Sequence, residues 1–260
     1  SPRHGYQYDQ TLAYKEGWKP AMSTPRLYLD TELAPGLEIE AEAGQAHHLG
    51  NVLRRGAGDA VLVFNARDGE WAGRIASLKK DRCRIALEAQ SRAPAPEPDL
   101  RLMVAALKRD AMEWLVEKAT ELGVAAIHPV LTRRSVADRL NLARLSAIAR
   151  GAAEQCERLS LPVIHPPQLL PAALAAWDGA PLFIAAERAG AAPLPQALAG
   201  QRLPLGLLIG PEGGFDRAEL DAAARYPFVT SIGLGPRILR AETAAVAGLA
   251  VLAALAGDWS

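Results

Sequence analysis

The chain has 260 residues, half of them hydrophobic, with 29 basic and 29 acidic side chains. That is enough for a buried core in one large domain or two modest ones. The zero formal charge excludes a globally basic nucleic-acid binder, so any RNA surface has to be a local patch. Two distant cysteines, Cys83 and Cys156, exclude a disulfide framework or a cysteine metal site and fit a reducing compartment. No secretory signal is visible. The one long apolar run, 244–257, falls short of the ~20 residues that span a bilayer and reads as a buried helix. A cytoplasmic protein is expected.

Residues 1–21 have no clear period and read as an extension or an expression remnant, with a natural start at Met22. Residues 26–92 read as short strands: 26–29, the run 51–55 leading into a Gly56–Asp59 turn, and 60–64, with a polar turn around Asp68-Gly69. Segments 71–78 and 82–87 flank Lys79-Lys80-Asp81 and read as a hairpin. In its second strand Cys83, Ile85 and Leu87 alternate with Arg82, Arg84 and Ala86, the period of a strand with one face buried. Close spacing of such strands suggests a small barrel over 22–92. His47 and His48 would point to opposite faces of a strand, and with no third ligand in sight no metal is expected.

Ser91-Arg92-Ala93-Pro94-Ala95-Pro96-Glu97-Pro98 carries three prolines and reads as a stiff linker, centred on 93–98. Beyond it, apolar strands alternate with helices to residue 260. Strands are expected at 100–107, 125–131, 182–186, 203–209 and 228–234, and helices at 109–122, 141–158, 216–226 and 243–255. Met112, Leu115, Val116, Ala119 and Leu122 fall at helical spacing ahead of Gly123, with Trp114 read as packing. Alternation of this kind argues a parallel sheet covered on both faces.

Two of these strands end in glycine-rich loops. Gly210-Pro211-Glu212-Gly213-Gly214-Phe215 places bare backbone after an apolar strand. Asp216 and Glu219 form a capping box for the next helix, and Phe215 and Leu220 a hydrophobic staple. In open α/β sheets ligands lie beyond the carboxyl ends of strands, where this turn falls. By itself the turn also fits a ligand-free connection. Neither GxxxxGK[ST] nor GxGxxG occurs, and no lysine or hydroxyl adjoins the glycines as a phosphate site would want. The second loop is Gly233-Leu234-Gly235-Pro236-Arg237-Ile238-Leu239-Arg240.

GPEGGF at 210–215 followed by LGPRILRAETA at 234–244 closely resembles the RsmE family. So do EKATELGV at 117–124, the RRSV and AEQCER segments across 133–158, and HHLGNVLRRGAGD at 47–59. These are SPOUT-class methyltransferases that act on N3 of a uridine in 16S ribosomal RNA of the small subunit. The resemblance covers about residues 23–257. It implies an α/β, SPOUT-type trefoil-knotted parallel-sheet domain, preceded by a PUA-like β-barrel domain that binds RNA. It implies S-adenosylmethionine as cofactor, bent in the knot, held by Ile209, Gly210, Glu212 and Gly213 and by Leu234, Gly235, Ile238, Leu239, Arg240 and Thr243. It implies a homodimer; from the residues themselves no metal and no membrane partner is expected.

For the chemistry, Arg240 and Arg237 are the candidate cations beside the acceptor base, and Glu212 or Glu242 the carboxylate favouring the sulfonium. Glu242 fits a first-turn position in the last helix equally well. Arginine cannot readily act as base, so water or a carboxylate takes the proton. Arg133, Arg134, Arg139 and Arg158 and the hairpin's Lys79, Lys80 and Arg82 are candidate RNA-backbone contacts. Solvated surface faces are the plainer reading of the same charges. Glu154, Gln155 and Arg158 are expected near the site. A knotted enzyme acting on tRNA and a non-catalytic RNA-binding assembly factor remain the alternatives.

Overall fold

The computed structural model describes residues 24–137, 139–186 and 191–259; the extension expected at 1–21 lies outside them. The first unit is a five-stranded sheet of β1 (Arg26–Tyr28), β2 (Glu38–Ala41), β3 (Ala60–Asn65), β4 (Gly69–Lys79) and β5 (Arg82–Arg92). Its order is β1-β3-β4-β5-β2, with β1 parallel to β3 and the other pairs antiparallel. The alternation in β5 points as its sequence requires: Cys83, Ile85 and Leu87 are at most 3% exposed. β1 and β2 do not pair among the described residues, so hydrogen bonding leaves the barrel open.

The run around 51–55 is not a strand. Helix α1 (Ala43–His47) continues into a π-turn (His48–Val52), and Ala46 and Leu49 enter the core of this sheet. A capping box between Glu42 and Gln45 starts it. His47 and His48 therefore lie on a helix, and His47 is bonded to Asn51 at 2.8 Å.

The second unit is an eight-stranded, all-parallel sheet. It holds β6 (Leu100–Ala105), β7 (Ala126–Leu131), β8 (Val163–Ile164), β9 (Gln168–Leu169), β10 (Leu182–Ala185), β11 (Ala192–Pro193), β12 (Leu205–Ile209) and β13 (Val229–Gly233). The order is β11-β13-β10-β12-β6-β7-β8, with β9 also on β7. Helices α2 (Arg109–Glu121), α3 (Leu142–Cys156), α4 (Leu170–Ala175), α5 (Leu194–Ala197), α6 (Arg217–Ala223) and α7 (Ala241–Ala256) connect and cover it. Leu102, Val104, Leu205 and Leu207 pack on the side of α2 and α7, while Met103, Leu182, Ile184 and Leu208 pack with α4 and α6. Burial on both faces is why these strands read as unbroken apolar runs. Gly248 lets α7 lie close on β12; a Cβ there would stand 2.6 Å from Leu207. Trp114, expected to pack, is 43% exposed on α2.

A polar seam joins the two sheets. Arg26 Nε donates to Glu70 at 2.7 Å, and its Nη atoms donate to the carbonyls of Ala153 (3.0 Å), Glu154 (3.1 Å) and Arg158 (3.1 Å), at and beyond the end of α3. Helix carbonyls there lack intrahelical partners, so a guanidinium is a natural cap. The Glu154 carboxylate accepts from Tyr28 N at 3.0 Å and Gln45 Nε2 at 3.3 Å. Burial pushes its pKa up.

Candidate functional site

The strand order brings β10 between β12 and β13. The carboxyl ends of all three meet at a cleft of about 850 Å³. That lies within the ~300–1,000 Å³ typical of small-molecule sites, which favour clefts at strand ends in open α/β sheets. Both glycine-rich loops line it. The first supplies Ile209, Gly210, Glu212, Gly213 and Phe215, the second Leu234, Gly235, Arg237, Ile238 and Leu239.

Local sequence explains the shape of both loops. A Cβ on Gly210 would meet the Phe215 ring at 2.9 Å, so that ring closes over the turn only because residue 210 has no side chain. Gly214 and Gly235 hold φ of +70° and +102°, conformations that L side chains rarely adopt. Behind the first loop the capping box is complete: Asp216 accepts from Ala218 N at 2.8 Å, and Glu219 accepts from Asp216 N at 2.9 Å. Phe215 and Leu220 pack into the same apolar cluster, as a staple requires.

Of the ten cofactor contacts expected, eight stand in the cleft wall. Arg240 and Thr243 do not. Arg240 occupies the N-cap position of α7 and is exposed, with no side-chain capping bond. The chain turns into α7 at that point. Glu242 is in the first turn of α7, likewise outside the wall. Arg237 and Glu212 are exposed wall residues.

Three residues expected at the site or at RNA lie elsewhere. The Arg158 side chain is 8% exposed. It donates to the carbonyls of Thr120 and Val124, to Ser160 and to the Glu97 carboxylate. Its charge is spent internally, pinning the linker, which argues against the RNA contact expected of it. Glu154 belongs to the seam described above. Gln155 is exposed on α3, outside the wall.

The remaining cations divide. Arg133 and Arg139 are exposed, with Arg133 within 3.5 Å of Asp216 behind the first glycine-rich loop. Lys79 and Lys80 are exposed, while Arg82 is paired with Glu40 at 3.0 Å. Arg134 is in the cleft wall itself, donating to the Gly213 carbonyl at 2.9 Å. Also in the wall, and unsignalled in sequence, are Ala185 and Ala186 from the end of β10 and Ala241 and Ala244 from α7. No local pattern marks them, because only the strand order makes them neighbours.

Such a wall suits S-adenosylmethionine. Bare backbone around Gly210, Gly213 and Gly235 offers main-chain donors and acceptors, apolar Ile209, Leu234 and Ile238 flank them, and Glu212 adds a carboxylate for a cation. Ile238 is 85% exposed, an apolar side chain free to be covered by a ligand.

The family model for an RNA methyltransferase domain matches residues 94–253, and that for an RNA methyltransferase PUA domain matches 42–88. The ribosomal RNA small subunit methyltransferase E of Rickettsia conorii is 32% identical over 233 residues, spanning 88% of this chain and 95% of that protein. The protein of the same name from Bacillus subtilis is 30% identical over 236 residues, spanning 85% and 91%. Among solved structures, the Neisseria gonorrhoeae ribosomal RNA small subunit methyltransferase E bound to S-adenosyl methionine superposes with a TM-score of 0.82. It is 28% identical and covers 91% of this chain and 100% of its own. A putative methyltransferase from Legionella pneumophila, in complex with the same cofactor, gives 0.79 at 28% identity, covering 90% and 99%.

Proposed function

The chain belongs to the RNA methyltransferase family that includes ribosomal RNA small subunit methyltransferase E, and from that membership we propose that it methylates N3 of a specific uridine in 16S ribosomal RNA. It is an S-adenosylmethionine-dependent RNA methyltransferase. The observation that carries the reading is the single cleft at the ends of β10, β12 and β13, lined by both glycine-rich loops. When bound, S-adenosylmethionine supplies a methyl group on a positively charged sulfur.

In this reading Ile209, Gly210, Gly213, Leu234, Gly235, Ile238 and Leu239 hold the cofactor by backbone and apolar contact. Glu212 favours its positive charge. Arg237 lies where it can meet the acceptor nucleotide. Lys79, Lys80, Arg133 and Arg139 contact RNA phosphates, which gives affinity rather than sequence choice. Residues 22–92 are the RNA-binding domain, 93–98 the linker and 99–260 the catalytic domain.

The trefoil-knotted path and a homodimer belong to the same proposal. Exposed Leu255 (52%) and Trp259 (58%) at the chain's carboxyl end support a second copy covering them. No helix among the described residues is long and apolar enough to cross a membrane. Action in the cytoplasm, on the small subunit, completes the proposal.

The test is methyl transfer from labelled S-adenosylmethionine to small-subunit RNA or assembled subunits, with the modified nucleotide mapped. Transfer to N3 of one uridine is expected. Cofactor binding without transfer to any ribosomal RNA, or transfer to tRNA alone, would refute it.

A further inference from the structure

We propose that Arg134 is the cation that stabilises the acceptor uracil as its N3 proton leaves, and that Glu219 positions it. The assignment rests on the N3-uridine reading above and adds a residue from outside both glycine-rich loops.

The chemistry sets the requirement. Uracil N3 carries a proton and cannot bond carbon until that proton goes. The N3–H bond breaks and its proton passes to water. The N3 electron pair then forms the bond to the methyl carbon, while the pair of the carbon–sulfur bond stays on sulfur. As the proton leaves, negative charge spreads to the flanking O2 and O4. Fixed N–H donors aimed at those oxygens lower the barrier most when they are in place beforehand. Arginine stays protonated at neutral pH, so it serves as donor and not as base.

Arg134 meets that requirement on three observations. It stands in the cleft wall, and Nη1 donates to the Gly213 carbonyl at 2.9 Å. No carboxylate pairs with it among the described residues. Its neighbours differ: Arg133 faces Asp216, Arg144 is paired with Glu113 and Arg158 with Glu97. Its loop is also held from both sides. Thr132 N donates to Ser135 Oγ at 2.9 Å. The Glu219 carboxylate accepts from Arg133 N through Oε1 at 2.8 Å and from Asp216 N through Oε2 at 2.9 Å. One carboxylate thus ties the loop after β7 to the start of α6, beside the first glycine-rich turn. A guanidinium can hold Gly213 with one nitrogen and present its others to a base; a single ammonium cannot present that planar fork.

Three readouts on Arg134→Gln, Arg134→Lys, Glu219→Gln and Arg237→Gln test this. They are the single-turnover methylation rate at saturating cofactor, cofactor affinity by calorimetry, and the N3 pKa of 5-fluorouridine placed at the acceptor position. The last is read by fluorine NMR on the protein–RNA–S-adenosylhomocysteine complex. Arg134→Gln should slow methylation by about 100-fold or more, the scale for losing one preorganised donor. Cofactor affinity should stay within about threefold. The bound fluorouracil pKa should rise by about one or more, as expected when a nearby opposite charge is removed. Arg134→Lys should recover only part of the rate. Glu219→Gln should slow the reaction less, and add nothing on top of Arg134→Gln. If cofactor affinity falls while the saturated rate holds, Arg134 merely braces the turn and the assignment is overturned. A fluorouracil pKa that responds to Arg237→Gln and not to Arg134→Gln overturns it as well. Failure of the unaltered protein to methylate small-subunit RNA is a separate result, seen before any variant is made, and removes the substrate reading itself.

Discussion

Replacing Arg26 by methionine should destabilise the whole molecule, because this residue joins the two sheets and does so from the interior. Both partners of its ion pair, Arg26 and Glu70, have side chains only 6% exposed. Methionine keeps much of the apolar stem but strands the Glu70 carboxylate. What is left to that carboxylate is Ser91 Oγ at 2.9 Å and Arg92 at 3.8 Å. Breaking a buried pair by removing one partner costs about 3–5 kcal/mol. The carbonyls of Ala153, Glu154 and Arg158 lose their donor too. Groups in one network do not add, so about 4 kcal/mol is expected for the set. At roughly 2–4 °C per kcal/mol for a chain of this size, Tm should fall by about 8–16 °C. Urea unfolding of the single variant and of Arg26→Met/Glu70→Gln measures it. Neutralising Glu70 in the double variant should restore about 1–2 kcal/mol, within the range of coupling for contacting residues. The first sheet should also melt ahead of the second once the seam is cut. A loss below about 1 kcal/mol in Arg26→Met, or no recovery in the double variant, would refute the reasoning: the pair would then behave like a surface salt bridge.

Gly210→Ala places a Cβ 2.9 Å from the Phe215 ring; the ring must swing off the turn, and calorimetry should show S-adenosylmethionine affinity reduced by at least about tenfold, or about 1.4 kcal/mol. Gly248→Ala brings a Cβ to 2.6 Å from Leu207 Cδ2 in a buried contact, and overpacking there should lower stability by about 1–3 kcal/mol in urea titrations. His128 has its pKa lowered to about 4, first by burial and then by the charge of His165, whose ring stacks on it at 4.2 Å. The unfolded chain therefore takes up a proton at His128 below the ordinary histidine value of 6.5, before the folded one does. Stability should fall as pH drops from about 6.5 towards 4, and His128→Gln should flatten that slope in urea midpoints measured across the range. A slope unchanged by the substitution assigns the acid sensitivity to other groups.

Much of the local structure was legible in the chain. The alternation Cys83, Ile85, Leu87 sets the inward face of β5, and burial follows it residue by residue. Asp216 and Glu219 stand three apart ahead of an apolar helix face, and both capping bonds form. GPEGGF announces a bare turn, and the Phe215 ring over Gly210 shows why the glycine is there. Where the reading failed, the competing force was local. The run 51–55 carries strand-like residues, yet the capping box at Glu42 and Gln45 starts a helix that continues through a π-turn to Val52.

By itself, then, the sequence determined the elements, the apolar faces and the two unusual loops, because periodicity and turn chemistry are written within a few residues. It also carried, by motif, the family and the cofactor. Only the tertiary structure decided which side chains share a space. Strand order puts β10 between β12 and β13 and so joins the two loops into one cleft. The same path brings Arg134 to that cleft and sets Arg240 at the N-cap of α7. It turns Arg158 inward onto Glu97 and two carbonyls, although in the sequence it looks like one more surface cation. An arginine's role depends on the partners the chain path brings within hydrogen-bond reach, and spacing along the chain does not encode that.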